Sequence, residues 1–292
     1  LTECTSYFWR VDALLPSSVT KGRIHTFKTH CGQSLSEYYV SPNGDDNNPG
    51  TKELPFRTIE KARDSIRYLC RPAGGTTVYL REGNYFLSNQ LYFDVWDSGQ
   101  EKKPVIYRSY PDEEARLIGG IQLQPSWFSV VDSSSPIWNR IPVLSRGSVY
   151  VCDLHANGIT NYGTVNDNYD RPDIYFDRQR MQIARWPNNG YALTQTGIDS
   201  TTFTYKDMQP SKWLTATDAW AAGYWYYGWH LDYRKISSID TSTKKISLQS
   251  PVSYGMGNNK LWWAINLIEE LDQPGEWYLD RSAGKLYIWP PS

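Results

Sequence analysis

The chain has 292 residues, 30 basic and 31 acidic side chains, and a formal net charge of -1. At about 100 to 200 residues per domain, this length allows one large or two ordinary domains. The balanced charge, with no basic block, argues against nucleic-acid and anionic-membrane partners. No stretch approaches the roughly 18 to 20 consecutive apolar residues that a membrane span requires, so no membrane partner is expected.

Four cysteines, at positions 4, 31, 70 and 152, include no CxxC pair. This spacing favours disulfides over a zinc site or a redox motif. Of the three connectivities we favour Cys4 with Cys31 and Cys70 with Cys152. Two disulfides indicate an oxidising compartment. The chain begins at Leu1 rather than Met, as it would after removal of a signal segment, so we expect a secreted, extracellular protein. The alternative is four buried free thiols in a cytosolic protein.

The predicted elements begin after an N-terminal extension. Residues 1–36 show no sustained period, hold two cysteines, and are expected to be tethered by their own disulfide. A short strand at 38–40 and a loop dense in turn formers at 41–50 open the main domain. Thr58 can cap a helix. The apolar stripe of that helix consists of Ile59, Ala62, Ile66 and Leu69.

Short strands separated by turns follow the helix. They are predicted at 76–80, 91–93, 105–107 and 116–118. Their even spacing predicts a coil of short strands. From residue 121 the strand candidates become longer, at 148–154, 173–184, 201–205, 223–233, 244–248, 261–267, 276–279 and 285–289. We therefore predict a β-rich second lobe over residues 121–292.

Several stretches of the first half have a familiar order. They are YYVSPNGDDNNPGT at 38–51, TTVYLREGNY at 76–85, PVIYRSY at 104–110 and LIGG at 117–120. This order resembles the entry into the right-handed parallel β-helix (pectin-lyase-like) superfamily. There, such a helix caps the open end of the coil, and the following stretches form its first rungs. The resemblance implies a mainly β fold with a capping helix and first rungs over residues 37–120.

Two motifs of the second lobe resemble a narrower group. IARWPN at 183–188 and LDQPGEWYLD at 271–280 are similar to β-helical glycoside hydrolases, which include fucosidases and xylanases. In that group a β-rich lobe is inserted after the first rungs, and the coil resumes beyond a segment like KLYIWP at 285–290. The substrate groove lies on the resumed coil. We therefore expect this chain to contribute to sugar binding without being sufficient for catalysis.

The stretch YWYYGWHLDY at 224–233 is the most unusual in the chain, which contains 22 Tyr and 13 Trp residues. Strand alternation would place Trp225 and Trp229 on one face and His230 and Asp232 on the other. We interpret these faces as a core side and a sugar-facing side, and name these four residues as substrate-binding candidates. The alternative is a packed strand in which His230 is hydrogen-bonded to Asp232 or to the backbone.

Arg185 and Trp186 are two further substrate-binding candidates, because a cation and a ring could lie together beside a sugar. Arg185 could equally pair with a carboxylate such as Asp177 at a sheet edge.

Asp45 and Asp46 lie in a loop rich in amide oxygens at 43–48. Calcium takes six to eight oxygen ligands, so this loop offers a weak candidate metal site. The spacing departs from the EF-hand pattern, and a plain Asx-rich turn is the alternative.

Glycoside hydrolysis needs two carboxyl groups, about 5 to 5.5 Å apart for retention or 6.5 to 9.5 Å for inversion. A sequence does not report that separation. The acids available are Asp167, Asp170, Asp173, Glu269, Glu270 and Asp272. None of them is assigned a catalytic role.

The sequence thus predicts the N-terminal portion of a secreted carbohydrate-active β-helix protein with a poly- or oligosaccharide ligand. The remainder of its own polypeptide, or another copy, would continue the β-helix. The alternative is a non-catalytic extracellular module that binds carbohydrate or forms fibres through open strand edges. A calcium-dependent polysaccharide lyase is a third hypothesis, and it depends on the loop at 43–48.

Overall fold

The computed structural model describes residues 6–15, 18–28, 34–67, 69, 71–165 and 171–291. Within these ranges the protein is mainly β, with one α-helix and no closed barrel, which confirms the mainly β prediction. The chain forms two compact units, Leu1–Gln122 and Leu123–Ser292. The division into three parts at residues 36 and 120 stays a prediction.

The first unit contains short strands and the helix. Its elements are β1 Ser6–Trp9, β2 Ala13–Leu15, β3 Ser18–Thr20, β4 His25–Lys28, β5 Glu37–Val40, α1 Ile59–Arg67, β6 Thr76–Leu80, β7 Gly83–Phe86, β8 Val105–Ser109 and β9 Ala115–Ile118. β1 pairs with β4 and β2 with β3, both antiparallel, as two separate ribbons.

Two parallel ladders organise the rest of this unit. β5, β6 and β8 pair in that order, all parallel, and β7 pairs in parallel with β9. Short corners join β6 to β7 and β8 to β9, so successive passes of the chain add a strand to each ladder. Arg81 in the first corner donates to both carboxylate oxygens of Glu113 in the second, at 2.7 to 3.0 Å. The pair therefore ties the two corners together.

Helix α1 lies where the apolar spacing predicts a helix. Thr58 Oγ1 accepts a hydrogen bond from Lys61 N at 3.1 Å, as an N-cap does. Ile59, Ala62 and Ile66 are buried against strands β5 and β6 and the neighbouring residues. Burial of an isoleucine such as Ile66 contributes about 1.5 to 3 kcal/mol. The stripe therefore holds the helix against the parallel strands.

The second unit contains β10 to β24. They are β10 Phe128–Val130, β11 Tyr150–Asp153, β12 Tyr175–Phe176, β13 Gln179–Arg180, β14 Gln182–Ile183, β15 Arg185–Trp186, β16 Ala192–Leu193, β17 Thr196–Gly197, β18 Thr202–Thr204, β19 Trp220–Gly223, β20 Asp232–Asp240, β21 Lys245–Leu248, β22 Leu261–Ile265, β23 Glu276–Asp280 and β24 Lys285–Trp289.

Two sheets and a hairpin build this unit. One sheet has the order β10-β11-β24-β23-β14. The other has the order β15-β22-β19-β20-β21-β18-β17, with β16 also paired to β22. β12 and β13 form a separate hairpin. All pairs are antiparallel except β14 with β23.

Strand β22 divides its side chains between two faces of the larger sheet, as period-two alternation requires. Trp262 and Ala264 enter a core that also contains Phe203, Trp213 and Trp225. Trp263 and Ile265 belong to a second cluster with Ala222, Tyr233 and Val165. The sheet is therefore lined with aromatic rings on both faces.

The predicted strand at 223–233 is wrong. β19 ends at Gly223 and β20 begins at Asp232, and these two residues are paired in an antiparallel hairpin. A Cβ at position 223 would lie 2.9 Å from the Trp225 ring, so glycine allows the chain to fold back closely. Residues 224–231 therefore form the hairpin loop, and the predicted two-face alternation of Trp225, Trp229, His230 and Asp232 does not exist.

Two other strand predictions also fail. Residues 173–184 are broken into β12, β13 and β14, because Asp177 and Arg178 take positive φ angles of 42° and 68° in a tight turn. Residues 91–93 form no strand. There the carbonyl of Tyr92 accepts from Arg63 Nη1 at 2.7 Å instead of from a neighbouring strand.

Cys152 is a free, buried thiol in β11, packed among apolar residues that include Trp277 and Leu286. Because Cys152 is a free thiol, the structure does not support its predicted pairing with Cys70. Cys4, Cys31 and Cys70 lie outside the described residues.

Candidate functional site

The loop between β19 and β20 is held by one buried indole. Trp225 is 2% exposed, its ring lies 5.3 Å from that of Phe203, and its Nε1 donates to Asp232 O at 3.1 Å. Gly257 N donates to Trp225 O at 2.8 Å, which joins the loop to the segment between β21 and β22. Trp225 is thus an anchor beneath the loop.

Above this anchor, aromatic rings face solvent. The rings of Tyr227 and Trp229 are stacked, with centroids 5.5 Å apart and planes 17° apart. Tyr254 packs edge-on against both at 5.3 and 5.6 Å, and Tyr226 packs edge-on against Tyr227 at 4.8 Å. Trp229 is 70% exposed, and the three tyrosines are also exposed. We call Tyr226, Tyr227, Trp229, His230 and Tyr254 the aromatic loop surface.

A charged group borders these rings. His230 Nε2 lies 3.5 Å from Asp232 Oδ2, and the imidazole is perpendicular to the Tyr254 ring at 4.8 Å. Asp232 Oδ2 accepts from Ser253 N at 2.8 Å, and Oδ1 lies 3.1 Å from Arg234 Nη1. Burial alone would raise the pKa of Asp232, but the Ser253 hydrogen bonds and the charges of Arg234 and His230 lower it. Asp232 is therefore a carboxylate at neutral pH.

The surface is a shallow depression. The space within it, about 160 Å³, includes open solvent, so the depression is not an enclosing small-molecule pocket. His230 Nε2 is buried there without a hydrogen-bond partner among the described residues. Such an arrangement can stack a flat apolar face and offer polar groups at its edge. It has no means of enclosing a ligand.

Arg185 and Trp186 lie elsewhere, in β15. The Trp186 ring faces Trp213 and Trp262 at 5.7 and 5.8 Å, so it belongs to the core packing. Arg185 Nη2 donates to Gly190 O at 2.7 Å, and its Cζ lies 5.3 Å from the Trp263 ring centroid. The structure does not pair Arg185 with Asp177. Of the six predicted substrate-binding residues, the structure brings together Trp229, His230 and Asp232, with Trp225 below them, and leaves Arg185 and Trp186 apart.

Asp45 and Asp46 use their oxygens within the protein. Asp45 Oδ1 accepts from the backbone and side chain of Asn47 at 2.9 Å. Asp46 accepts from the backbone N of Arg57 and Thr58 and from Thr58 Oγ1 at 2.8 to 2.9 Å. Across the described ranges, no group of three or more His, Cys, Asp or Glu side chains could hold a metal ion. The calcium site stays a prediction that this geometry does not favour.

The acids considered for catalysis have structural partners where they are described. Asp173 pairs with Arg180, Glu269 with Arg140, and Asp272 accepts from Asn188 Nδ2, each at 2.7 Å. Glu270 accepts from Trp213 Nε1 at 2.6 Å and from Gln209 Nε2 at 2.8 Å. Asp167 and Asp170 lie outside the described residues. No catalytic assignment follows from these contacts.

Three members of the surface, Tyr226, Tyr227 and Tyr254, were not among the predicted site residues, and of these only Tyr254 lies outside the stretch at 224–233. It lies in the turn-rich stretch PVSYGMGNN at 251–259, which contains two glycines. Those glycines indicate a loop, but they do not indicate that this loop contacts the one at 224–231. The hydrogen bond from Gly257 N to Trp225 O and the packing of Tyr254 against Tyr227 and Trp229 join the two loops.

None of the helices in the described ranges is long and apolar enough to cross a membrane.

Comparisons with known proteins give partial matches. No protein-family model matches the chain. The uncharacterized protein YwoF of Bacillus subtilis is 44% identical over 81 residues, 28% of this chain and 15% of YwoF. Pectate lyase PEL9 of Emericella nidulans is 31% identical over 84 residues, 29% of this chain and 18% of PEL9. A solved structure described as a glycoside hydrolase has a TM-score of 0.61 at 20% identity, covering 88% of this chain and 44% of that one. The chain therefore shares the fold of part of a glycoside hydrolase and spans less than half the length of each of these proteins.

Proposed function

We propose that the chain is part of a secreted carbohydrate-active protein and that its second unit binds sugar through the aromatic loop surface. The observation that carries this proposal is the exposed, stacked pair Tyr227 and Trp229, bordered by His230 and Asp232. Similarity to a pectate lyase and to a glycoside hydrolase fold supports the sugar class.

The chemistry of the surface fits a sugar ring. A pyranose has a C–H face that can lie on an aromatic ring, and hydroxyl groups around its rim. Exposed aromatic rings supply large apolar contact area, and their polar neighbours fix orientation. His230 and Asp232, whose Nε2 and Oδ2 atoms lie 3.5 Å apart, are the polar groups at the border of the rings. The open shape is compatible with binding along a polymer.

The parallel ladders support a further proposal about the first unit. β5, β6 and β8 with β7 and β9 would form the first rungs of a right-handed parallel β-helix that α1 caps. β8 and β9 are edge strands of their ladders among the described residues. An edge strand offers unpaired backbone groups to another strand. Further strands, from the same polypeptide or from another copy, would continue the coil and carry any catalytic groove.

The first test is binding of the purified chain to an array of neutral plant and microbial glycans, followed by calorimetry with the best ligand. We expect Trp229→Ala to weaken binding by at least about tenfold, equivalent to about 1.4 kcal/mol. Trp229 is exposed, so the substitution removes a contact face without opening the core.

A matched control is Trp96→Ala, because Trp96 is 62% exposed and lies in the first unit, outside the aromatic loop surface. The Trp96→Ala variant should bind the glycan with the same affinity as the unsubstituted chain. Equal affinity of the Trp229→Ala variant, or absence of any glycan binding, would contradict the proposal.

A further inference from the structure

The face of the larger sheet that carries Trp263 has a second group of rings. Tyr233 lies perpendicular to Trp263 at 6.3 Å, and Tyr191 lies 5.2 Å from it. Trp263 and Tyr233 are buried, whereas Tyr191 is 49% exposed. The rings therefore form a floor with one accessible aromatic side chain at its rim.

Three arginines surround this floor. Arg185 Cζ lies 5.3 Å from the Trp263 centroid, and Arg171 Cζ lies 5.7 Å from the Tyr233 centroid. Arg180 is close enough to Tyr233 to interact with it electrostatically, and its side chain is 56% exposed. We call Arg171, Arg180, Arg185, Tyr191, Tyr233 and Trp263 the basic aromatic face.

Arg185 is cationic without a matching carboxylate. The ion pairs between described residues do not include it. Its Nη2 donates to Gly190 O, and its Nε is buried with no hydrogen-bond partner among those residues. Burial lowers the pKa of Arg185, whereas carboxylate-paired arginines such as Arg81 have raised pKa values. The guanidinium thus has unused capacity for an anion.

The acids near the face that the structure describes do not neutralise it. Asp173 pairs with Arg180 at 2.7 Å. Glu276 is within electrostatic range of Arg185, but burial raises the pKa of Glu276 to about 8, which leaves its carboxyl group mainly protonated at neutral pH. Among the described residues, the positive charge of Arg171 and Arg185 is therefore available to a ligand.

We propose that the basic aromatic face is a second sugar site, specific for saccharides that carry carboxylate groups. The planar guanidinium matches a carboxylate through paired N–H donors, and the Tyr191 ring offers a stacking face to the same sugar. This inference rests on the proposed function, since it assigns a sugar class to a separate site in the second unit.

Calorimetry with a hexuronic acid trimer, its methyl ester and a sulfated neutral trimer tests the proposal. The uronic acid trimer should bind at least about fivefold more tightly than its ester at low salt, and this advantage should shrink as salt screens the charges. Arg185→Gln should remove the advantage. Arg180→Gln should reduce the advantage of the acid over the ester. Because Arg180 is exposed, this variant remains informative if the Arg185 variant folds poorly.

The matched control is Arg146→Gln. Arg146 also lies over an indole, 5.2 Å from the Trp138 centroid, and its Nε also donates to a backbone carbonyl, that of Ile141. It is outside the basic aromatic face, so the substitution should leave the preference for the acid unchanged.

The outcomes separate this inference from the proposed function. Retained binding of neutral glycans without a preference for the acid would overturn the carboxylate site alone. Equal binding of the sulfated trimer, or an unchanged preference in both the Arg185 and Arg180 variants, would overturn it too. Loss of the acid preference with Trp229→Ala but not with Arg185→Gln would place acid binding on the aromatic loop surface and overturn the second site.

Discussion

Trp225 and Trp229 lie four positions apart in one loop and have opposite environments. Trp225 is buried, and its indole N–H donates to a backbone carbonyl. Trp229 lies on the surface, stacked on the exposed ring of Tyr227. The same contrast separates the core tryptophans Trp213 and Trp262 from the aromatic loop surface. The high aromatic content therefore serves two purposes: buried rings fix the sheet, and exposed rings form a contact face.

The largest expected effect comes from a core ring. Trp262→Ala removes a fully buried indole that contacts Trp186, Phe203 and Trp213. Truncation of a buried tryptophan costs about 3 to 5 kcal/mol, because the neighbours cannot fill the cavity. The free energy of unfolding, measured by urea denaturation, should fall by that amount.

The surface counterpart of that variant is Trp229→Ala. Because Trp229 is exposed, the change in free energy of unfolding should stay within about 0.5 kcal/mol. A cost for Trp229→Ala as large as that for Trp262→Ala would show that the aromatic loop surface also supports the fold, and the contrast between the two groups of rings would then be wrong.

A second prediction concerns the indole N–H within the core. Trp213 Nε1 donates to Glu270 Oε1 at 2.6 Å, whereas Trp262 Nε1 is buried without a partner among the described residues. Trp213→Phe and Trp262→Phe remove similar ring area, but only the first removes a donor from a buried carboxyl group, which then keeps Gln209 Nε2 as its side-chain donor. The first should cost about 1 to 3 kcal/mol more in free energy of unfolding. Equal costs would mean that the hydrogen bond to Glu270 contributes little.

Local features of the fold were predictable from the sequence. Helix α1 follows from a capping threonine and a regular apolar stripe. β6 and β24 follow from short β-branched and aromatic runs between turn residues. These signals work because each depends on neighbouring residues, through backbone preference and one-sided burial.

The candidate surface could not be predicted in the same way. Alternating aromatic residues at 224–233 fit a strand equally well, and only the pairing of Gly223 with Asp232 turns the stretch into a loop. Tyr254 and Arg180 come from distant parts of the chain and reach their surfaces through tertiary contacts. Trp229, His230 and Asp232 were selected from the aromatic content of the stretch and from an assumed strand alternation, and their contact depends on a hairpin that the sequence did not reveal.

A pH dependence of the buried layer is also expected. Burial raises the pKa of Glu270 to about 7 and that of Glu276 to about 8, although donors around both groups oppose the shift. A carboxyl group with a raised folded-state pKa contributes stability below its unfolded value near 4.5, and that contribution is lost as the pH rises through 7 to 8. The free energy of unfolding should therefore fall as the pH rises from 5 to 8 and level off near pH 9.

Glu276→Gln tests this cause, because the variant cannot ionise at that position. It should unfold with a shallower pH dependence between pH 6 and pH 9, whatever its stability at pH 5. Asp232, at the aromatic loop surface, has a lowered pKa and stays ionised across that range, so Asp232→Asn should leave the slope unchanged. An identical slope in the Glu276→Gln variant would assign the pH dependence to other groups. A flatter slope with Asp232→Asn would show that the loop and the buried layer are electrostatically coupled.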